Sequence, residues 1–146
     1  MNEELTYAEK SKLPLKVWGF VIGMSISIYL AIWAPLGVMP ALLMTLLFFA
    51  GFLAVLNKMQ TKVFISKDYL YANNAKIEIK YIKKAIPLNK SEFRDLNGVS
   101  ADPAAFLATN FWTNTGVKIE LKDKNDPTPY WLISSKRATE IAEKLN

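Results

Sequence analysis

From Val17 to Asn57 the chain runs 41 residues without a single Asp, Glu, Lys or Arg. In a chain that is 21% charged, this gap constrains everything else. A membrane-spanning helix needs roughly 20 apolar residues at about 1.5 Å rise each, so the stretch is too long for one span and suits two. Pro35, Gly37 and Pro40 punctuate its middle and disfavour a continuous helix. The expected spans are about Val17–Ala34 and about Val38–Leu56, with Pro40 in the tolerated first turn of the second. A cleaved signal peptide is the competing reading. Against it, the run is too long, the leading segment is not net positive, and no A-x-A site follows.

Charge sets the expected orientation. Lys10, Lys12 and Lys16 precede the first span, Lys58, Lys62 and Lys67 follow the second, and the turn between carries none. Positive charge is retained on the cytoplasmic side, which predicts two cytoplasmic termini and a short outward turn. Trp18 and Trp33 lie near opposite ends of the first span, where indoles favour the lipid–water boundary. The plan is then a cytoplasmic segment 1–16, a transmembrane hairpin 17–57 and a cytoplasmic domain 58–146. That domain holds 15 bases against 10 acids, hence the whole net +5. Gly19, Gly23, Ser27 and Ala31 form a stripe of small residues on one helix face. Its expected role is helix packing: against Ala50, Gly51 and Ala54 of the second span, or alternatively against another copy. Neither span contains an Asp, Glu, Lys, Arg or His, so a proton relay or ion pathway has no obvious carrier.

Beyond Lys58 the periodicity changes to two. Lys76–Tyr81 and Val117–Lys122 alternate apolar with charged residues, as half-buried strands do. Val63–Ser66, Tyr69–Ala72, Ala85–Leu88 and Tyr130–Ser134 are shorter expected strands. Ser91–Phe111 is less regular, with a short helix after Asp102-Pro103 and one further strand expected. The end returns to helical spacing at Ala138, Ile141, Ala142 and Leu145, giving a helix at about 136–145 with Ser135 as candidate N-cap. The predicted fold class is an α+β membrane protein. Its hairpin is followed by a small antiparallel β-rich, pleckstrin-homology-like barrel with a C-terminal helix, an analogy that carries no function.

The chain has no cysteine and no histidine. Disulfides, thiolate metal sites, a cysteine nucleophile and the Ser-His-Asp triad are all excluded. Asp102, Asp123 and Asp126 are the remaining acid–base candidates. Asp123-Lys124-Asn125-Asp126 is too short for a calcium loop, and turn roles are expected for all three. No metal or cofactor is expected.

The most distinctive residues are Ala101-Asp102-Pro103-Ala104-Ala105-Phe106-Leu107, then Phe111-Trp112, then Asp126-Pro127-Thr128-Pro129-Tyr130-Trp131-Leu132-Ile133-Ser134. Together with Tyr7-x-Glu9 and Leu13-Pro14, they resemble an uncharacterised actinobacterial family of two-helix membrane proteins, a domain-of-unknown-function family with an ADPxAFL…DPTPYWL motif. Ala104 stands where that pattern has arginine, and Phe111 where it has proline. If that arginine binds an anion in the family, the site is in doubt here. The resemblance implies a bacterial cytoplasmic membrane but no activity.

Two readings of this block compete. In one, the prolines fix a rigid turn that feeds Tyr130 and Trp131 into a core. In the other, Phe106, Trp112, Tyr130 and Trp131 line a groove, which with Asp102, Asp126 and Arg137 gives the candidate partner-binding residues. The expected function is a non-enzymatic, membrane-tethered binding or assembly module at the inner leaflet. The alternative is an accessory subunit or minor enzyme of envelope or lipid metabolism using Asp102 or Asp126. Expected partners are the bilayer and a membrane protein or second copy. Anionic headgroups are a further candidate, drawn to Lys83, Lys84, Lys90, Arg94, Lys136 and Arg137 at about 1 kcal/mol per close lysine. Nucleic acid is not expected, since no known module is present and the excess charge is small.

Overall fold

Two helices account for the uncharged run. In a computed structural model of the chain, which describes residues 5–122 and 126–146, α1 spans Leu15–Leu36 and α2 spans Val38–Lys58. Both are long and apolar enough to cross a membrane. Gly37 alone separates them. Its φ of 83° lies in the left-handed region that glycine adopts without strain, and its N–H closes α1 on the Trp33 carbonyl. Pro35 is accommodated in the last turn of α1, so that helix runs slightly past the expected end.

The chain divides into two units: Lys12–Gln60, which holds both helices, and the residues up to Ser11 together with Thr61–Asn146. Within the helical unit, α1 and α2 pack on each other through a face that holds Val21 and Ala41, both essentially inaccessible. The small-residue stripe is not on that face. Gly19, Gly23, Ser27 and Ala31 are exposed, as are Ala50, Gly51 and Ala54. A side chain added at Gly19, Gly23 or Gly51 would meet nothing within 4 Å. The expected intrachain role of the stripe is therefore corrected. The buried residues of the pair are instead Val21, Ala41 and Leu56, and Ser27 turns its hydroxyl back onto the Gly23 carbonyl at 3.0 Å.

Among its described residues, the other unit holds eight strands in two sheets. The first is an antiparallel meander of β1 (Leu5–Lys10), β2 (Lys62–Ser66), β3 (Tyr69–Ala72) and β4 (Ala75–Glu78). A 3-10 turn at Ile79–Tyr81 follows it. The second contains β5 (Ile82–Leu88), β6 (Phe106–Ala108), β7 (Gly116–Leu121) and β8 (Tyr130–Ser134) in the order β5-β7-β8-β6. Short helices α3 (Lys90–Leu96) and α4 (Ala138–Leu145) complete it.

Four expectations change here. Residues before α1 do not stand apart: β1 pairs with β2 in register, Tyr7 opposite Ile65 and Lys10 opposite Lys62. Nor do the described strands close into a barrel. The 3-10 turn ends the first sheet and β5 begins a second, so two four-stranded sheets result. The second sheet is also not wholly antiparallel, because β6 returns along β8 in parallel after the α3 excursion. No helix follows Asp102-Pro103; the helix of that region is α3, ahead of them.

One core joins the sheets and α4. Val63, Ile65 and Leu70 of the first sheet cluster with Val117, Ile119, Trp131 and Ile133 of the second, and with Ile141 and Leu145 of α4. A smaller cluster of Leu88, Phe93, Tyr130 and Leu132 packs on the opposite face of the second sheet, beneath α3. Strand β8 is thus covered on both faces, which explains its unbroken apolar run. Gly116 in β7 is where Phe93 comes down onto the sheet. A Cβ there would collide with the Ile133 carbonyl oxygen and the Phe93 ring. Gly116→Ala is expected to destabilise the chain by about 1–3 kcal/mol in urea unfolding, as overpacking does. Gly23→Ile, facing open space, is expected to leave the unfolding midpoint unchanged.

Candidate functional site

The residues singled out by sequence do not converge on one site. Successive side chains of a strand point to opposite faces, and β8 divides the aromatics accordingly. Trp131 lies in the main core with Phe106 packed against it, ring centroids 4.5 Å apart. Tyr130 lies in the smaller cluster, and its hydroxyl accepts the Asp102 N–H at 3.1 Å. Trp112 is held elsewhere, donating its indole N–H to Ser11 Oγ at 2.9 Å. Both described carboxylates cap their own turns: Asp102 Oδ1 accepts the Ala104 N–H at 2.9 Å, and Asp126 Oδ1 accepts the Thr128 N–H at 2.8 Å. Asp123 lies outside the described residues. Arg137 sits over the Tyr7 ring at 4.8 Å and pairs with Glu140.

The structure instead builds a buried polar clasp around Asn110. Its side-chain NH2 donates to Ser11 Oγ at 3.2 Å and to Thr61 Oγ1 at 3.0 Å. Its Oδ1 accepts the Thr113 and Trp112 N–H groups at 2.9 and 3.3 Å, which fixes which way the amide points. Its own N–H donates to Ser134 Oγ at 3.1 Å. Ser11 and Thr61 are the residues at which the chain leaves and rejoins this unit, and the Ser11 N–H donates to the Thr61 carbonyl at 2.9 Å. No periodicity flags Asn110, because its partners lie 99 and 49 residues away. The only local sign is the Asx-type turn over Asn110–Thr113.

A second polar cluster joins β1 to the start of α4. Glu9 accepts from the Tyr7 hydroxyl at 2.8 Å, from the buried Ser135 hydroxyl, and from the Lys136 N–H at 3.2 Å. Ser135 is therefore not the N-cap; that position is Arg137, whose N–H the Ser135 hydroxyl accepts. Burial, and then the hydrogen bond to Glu9 and its charge, push the Tyr7 hydroxyl well above its ordinary 10.0, with the Arg137 guanidinium opposing.

The anticipated basic face is broken up. Lys83 pairs with Glu120, and Arg137 is engaged as described. Lys84, Lys90, Arg94 and Lys136 remain without an ion pair among the described residues, and of these Lys90 and Arg94 share one face of α3. These two line a shallow depression of about 90 Å³ with Phe93, Asn97, Asn110, Phe111, Thr113 and Asn114. That is far below the ~300–1,000 Å³ of small-molecule pockets. A wider trough of about 380 Å³ lies along Lys67, Asp68, Tyr69, Glu78, Ile79 and Lys80, where equal numbers of acids and bases favour no sign of ligand. Among the described residues no three acidic side chains come together to hold a metal.

Fold and site together define a two-sheet α+β domain with a pair of long apolar helices inserted between its first two strands. The chain belongs to a family described as a protein of unknown function, DUF3093, whose model matches residues 6–145. The resemblance to a domain-of-unknown-function family is thereby borne out, and all of β1 but Leu5, both helices and α4 fall within the match. No curated protein and no solved structure matches the chain.

Two measurements check the polar clusters. Asn110→Ala leaves buried donors and acceptors unpaired, each costing about 1–3 kcal/mol, so a loss of at least that size is expected in urea unfolding. Tyr7 stays protonated in the fold above pH 10 while the unfolded chain ionises, so folding stability is expected to fall as pH rises beyond 10. That fall should be shallower in Tyr7→Phe.

Proposed function

We propose that the chain is a membrane-tethered, non-enzymatic binding or assembly module. On this reading α1 and α2 cross the bacterial cytoplasmic membrane as a hairpin, and the two-sheet domain lies in the cytoplasm at the inner leaflet. The observation that carries it is the uncovered surface of the helices. Leu47 is 74% exposed and Leu43 and Leu46 are 63% exposed, while Val21, Ala41 and Leu56 are the buried residues of the pair. A core helix of a soluble protein is wrapped by its neighbours; this pair offers apolar side chains all round, as lipid contact requires.

The clasp supports a same-side arrangement. Hydrogen-bonded Ser11 and Thr61 make the chain depart and return at one place, so an even number of spans puts both flanks on one side. The lysines of those flanks then favour the cytoplasm. A binding role is favoured over chemistry because Asp102 and Asp126 spend oxygens on their own turns and the aromatics are divided between two cores. The partner fitting this plan is another membrane component: a membrane protein or a second copy meeting the outward faces of α1 and α2.

The test is topological, and the absence of native cysteine makes it clean. A reporter fused after Asn146 is expected to be active only in its cytoplasmic form, and Leu36→Cys to react with an impermeant thiol reagent from outside. Periplasmic activity of the fusion, or release of the chain by alkaline carbonate, would overturn the reading.

A further inference from the structure

The depression beside α3 carries an inference that rests on the membrane reading and deepens it. Lys90, Phe93, Arg94 and Asn97 are spaced i, i+3, i+4 and i+7, so they share one helix face. The turn Asn110–Asn114 forms the opposite wall. Asn110, Thr113 and Phe93 are committed to the interior. The side chains of Lys90, Arg94, Asn97 and Asn114 have no hydrogen bond or ion pair among the described residues. No carboxylate lines the depression, and Glu92 of α3 is occupied in the capping box with Asn89. Two unpaired cations and two free amides facing a hollow of about 90 Å³ fit one compact anion.

Phe111 narrows the source of that anion. It lines the same hollow, is 61% exposed and stands edge-on to Trp112 at 4.7 Å. A site for free phosphate has no use for an exposed phenyl ring, whereas an aromatic beside cations suits the boundary between headgroups and acyl chains. Asn110 ties this wall to Ser11 and Thr61, and only three residues separate Ser11 from α1 and two separate α2 from Thr61. We propose that the depression takes the phosphate of an anionic phospholipid headgroup, held by Lys90 and Arg94, with Phe111 in the interfacial zone beside it.

The test uses the full chain with Trp18→Phe and Trp33→Phe, leaving Trp112 as reporter and Trp131 buried in the core. The protein is reconstituted in mixed phosphatidylcholine–phosphatidylglycerol vesicles, with bromine placed high in the acyl chain of one lipid or the other. Brominated phosphatidylglycerol is expected to quench Trp112 far more than equally brominated phosphatidylcholine. The local enrichment should be roughly 25-fold at low salt, the effect of two bases near an anionic surface. Lys90→Gln with Arg94→Gln should equalise the lipids without changing the circular dichroism spectrum. Equal quenching in the parent chain, or a preference that survives the double variant, would overturn the proposal. So would binding of inorganic phosphate that depends on Lys90 and Arg94 while the two brominated lipids quench equally, which would assign the hollow to a free anion. A chain that does not float with the vesicles defeats the membrane reading and this inference with it; one that floats without lipid preference defeats this inference alone.

Discussion

The pairing of β1 with β2 is the constraint on which the rest depends, because the unit of 49 residues that holds the apolar helices, Lys12–Gln60, lies between the paired segments. Closing a flexible loop of that length costs about 3 kcal/mol by the (3/2)RT ln n relation. The helix pair removes much of that cost by bringing its own ends to the ~8–10 Å spacing of packed helices. Strands lie closer, about 4.8 Å apart, and the short linkers on either side take up the difference. Asn110 then locks the junction from a distant part of the chain. A folded domain and a folded helix pair each make the other's ends meet.

Strand β8 imposes the second constraint. Covered on both faces, it must alternate its large side chains between two cores, which sends Trp131 one way and Tyr130 the other. A block that looks like a ligand cage in one dimension is thereby spent on packing in three. Asp102 belongs to the same economy, since its turn is where the Tyr130 hydroxyl finds its hydrogen-bond donor.

How much of this was legible follows from where the signals reside. The helices announce themselves through a long uncharged run, β8 through a short apolar one, and β7 and α4 through local periodicity with buried side chains at the predicted spacing. Strand β1 does not: among its described side chains only Tyr7 is in the core, and its partners come after the helices. Helix α3 buries only Phe93, yet Asn89-x-x-Glu92 is a capping box that could have located it. The two sheets could not be told from a barrel, because strand alternation is the same in both. The outward turn of Gly19 and Gly23 was equally hidden. Small residues permit close approach without requiring it, and the face actually used is chosen by the fit of Val21 and Ala41.

The polar side chains, followed one by one, also account for where binding is left to occur. Glu9 holds Tyr7 and Ser135; Asn110 holds Ser11 and Thr61; Asp102 and Asp126 hold their turns; Glu120 meets Lys83 and Lys118. A group engaged in this way is poorly available to a ligand, since recruiting it would strand a partner at about 1–3 kcal/mol for each buried polar atom. On α3, Glu92 is spent on the capping box and Phe93 on the core, but Lys90 and Arg94 have no such partners to abandon, so recruiting them costs little more than the displacement of water. One short helix thus serves the fold through Phe93 and leaves its two cations free to recognise something outside it.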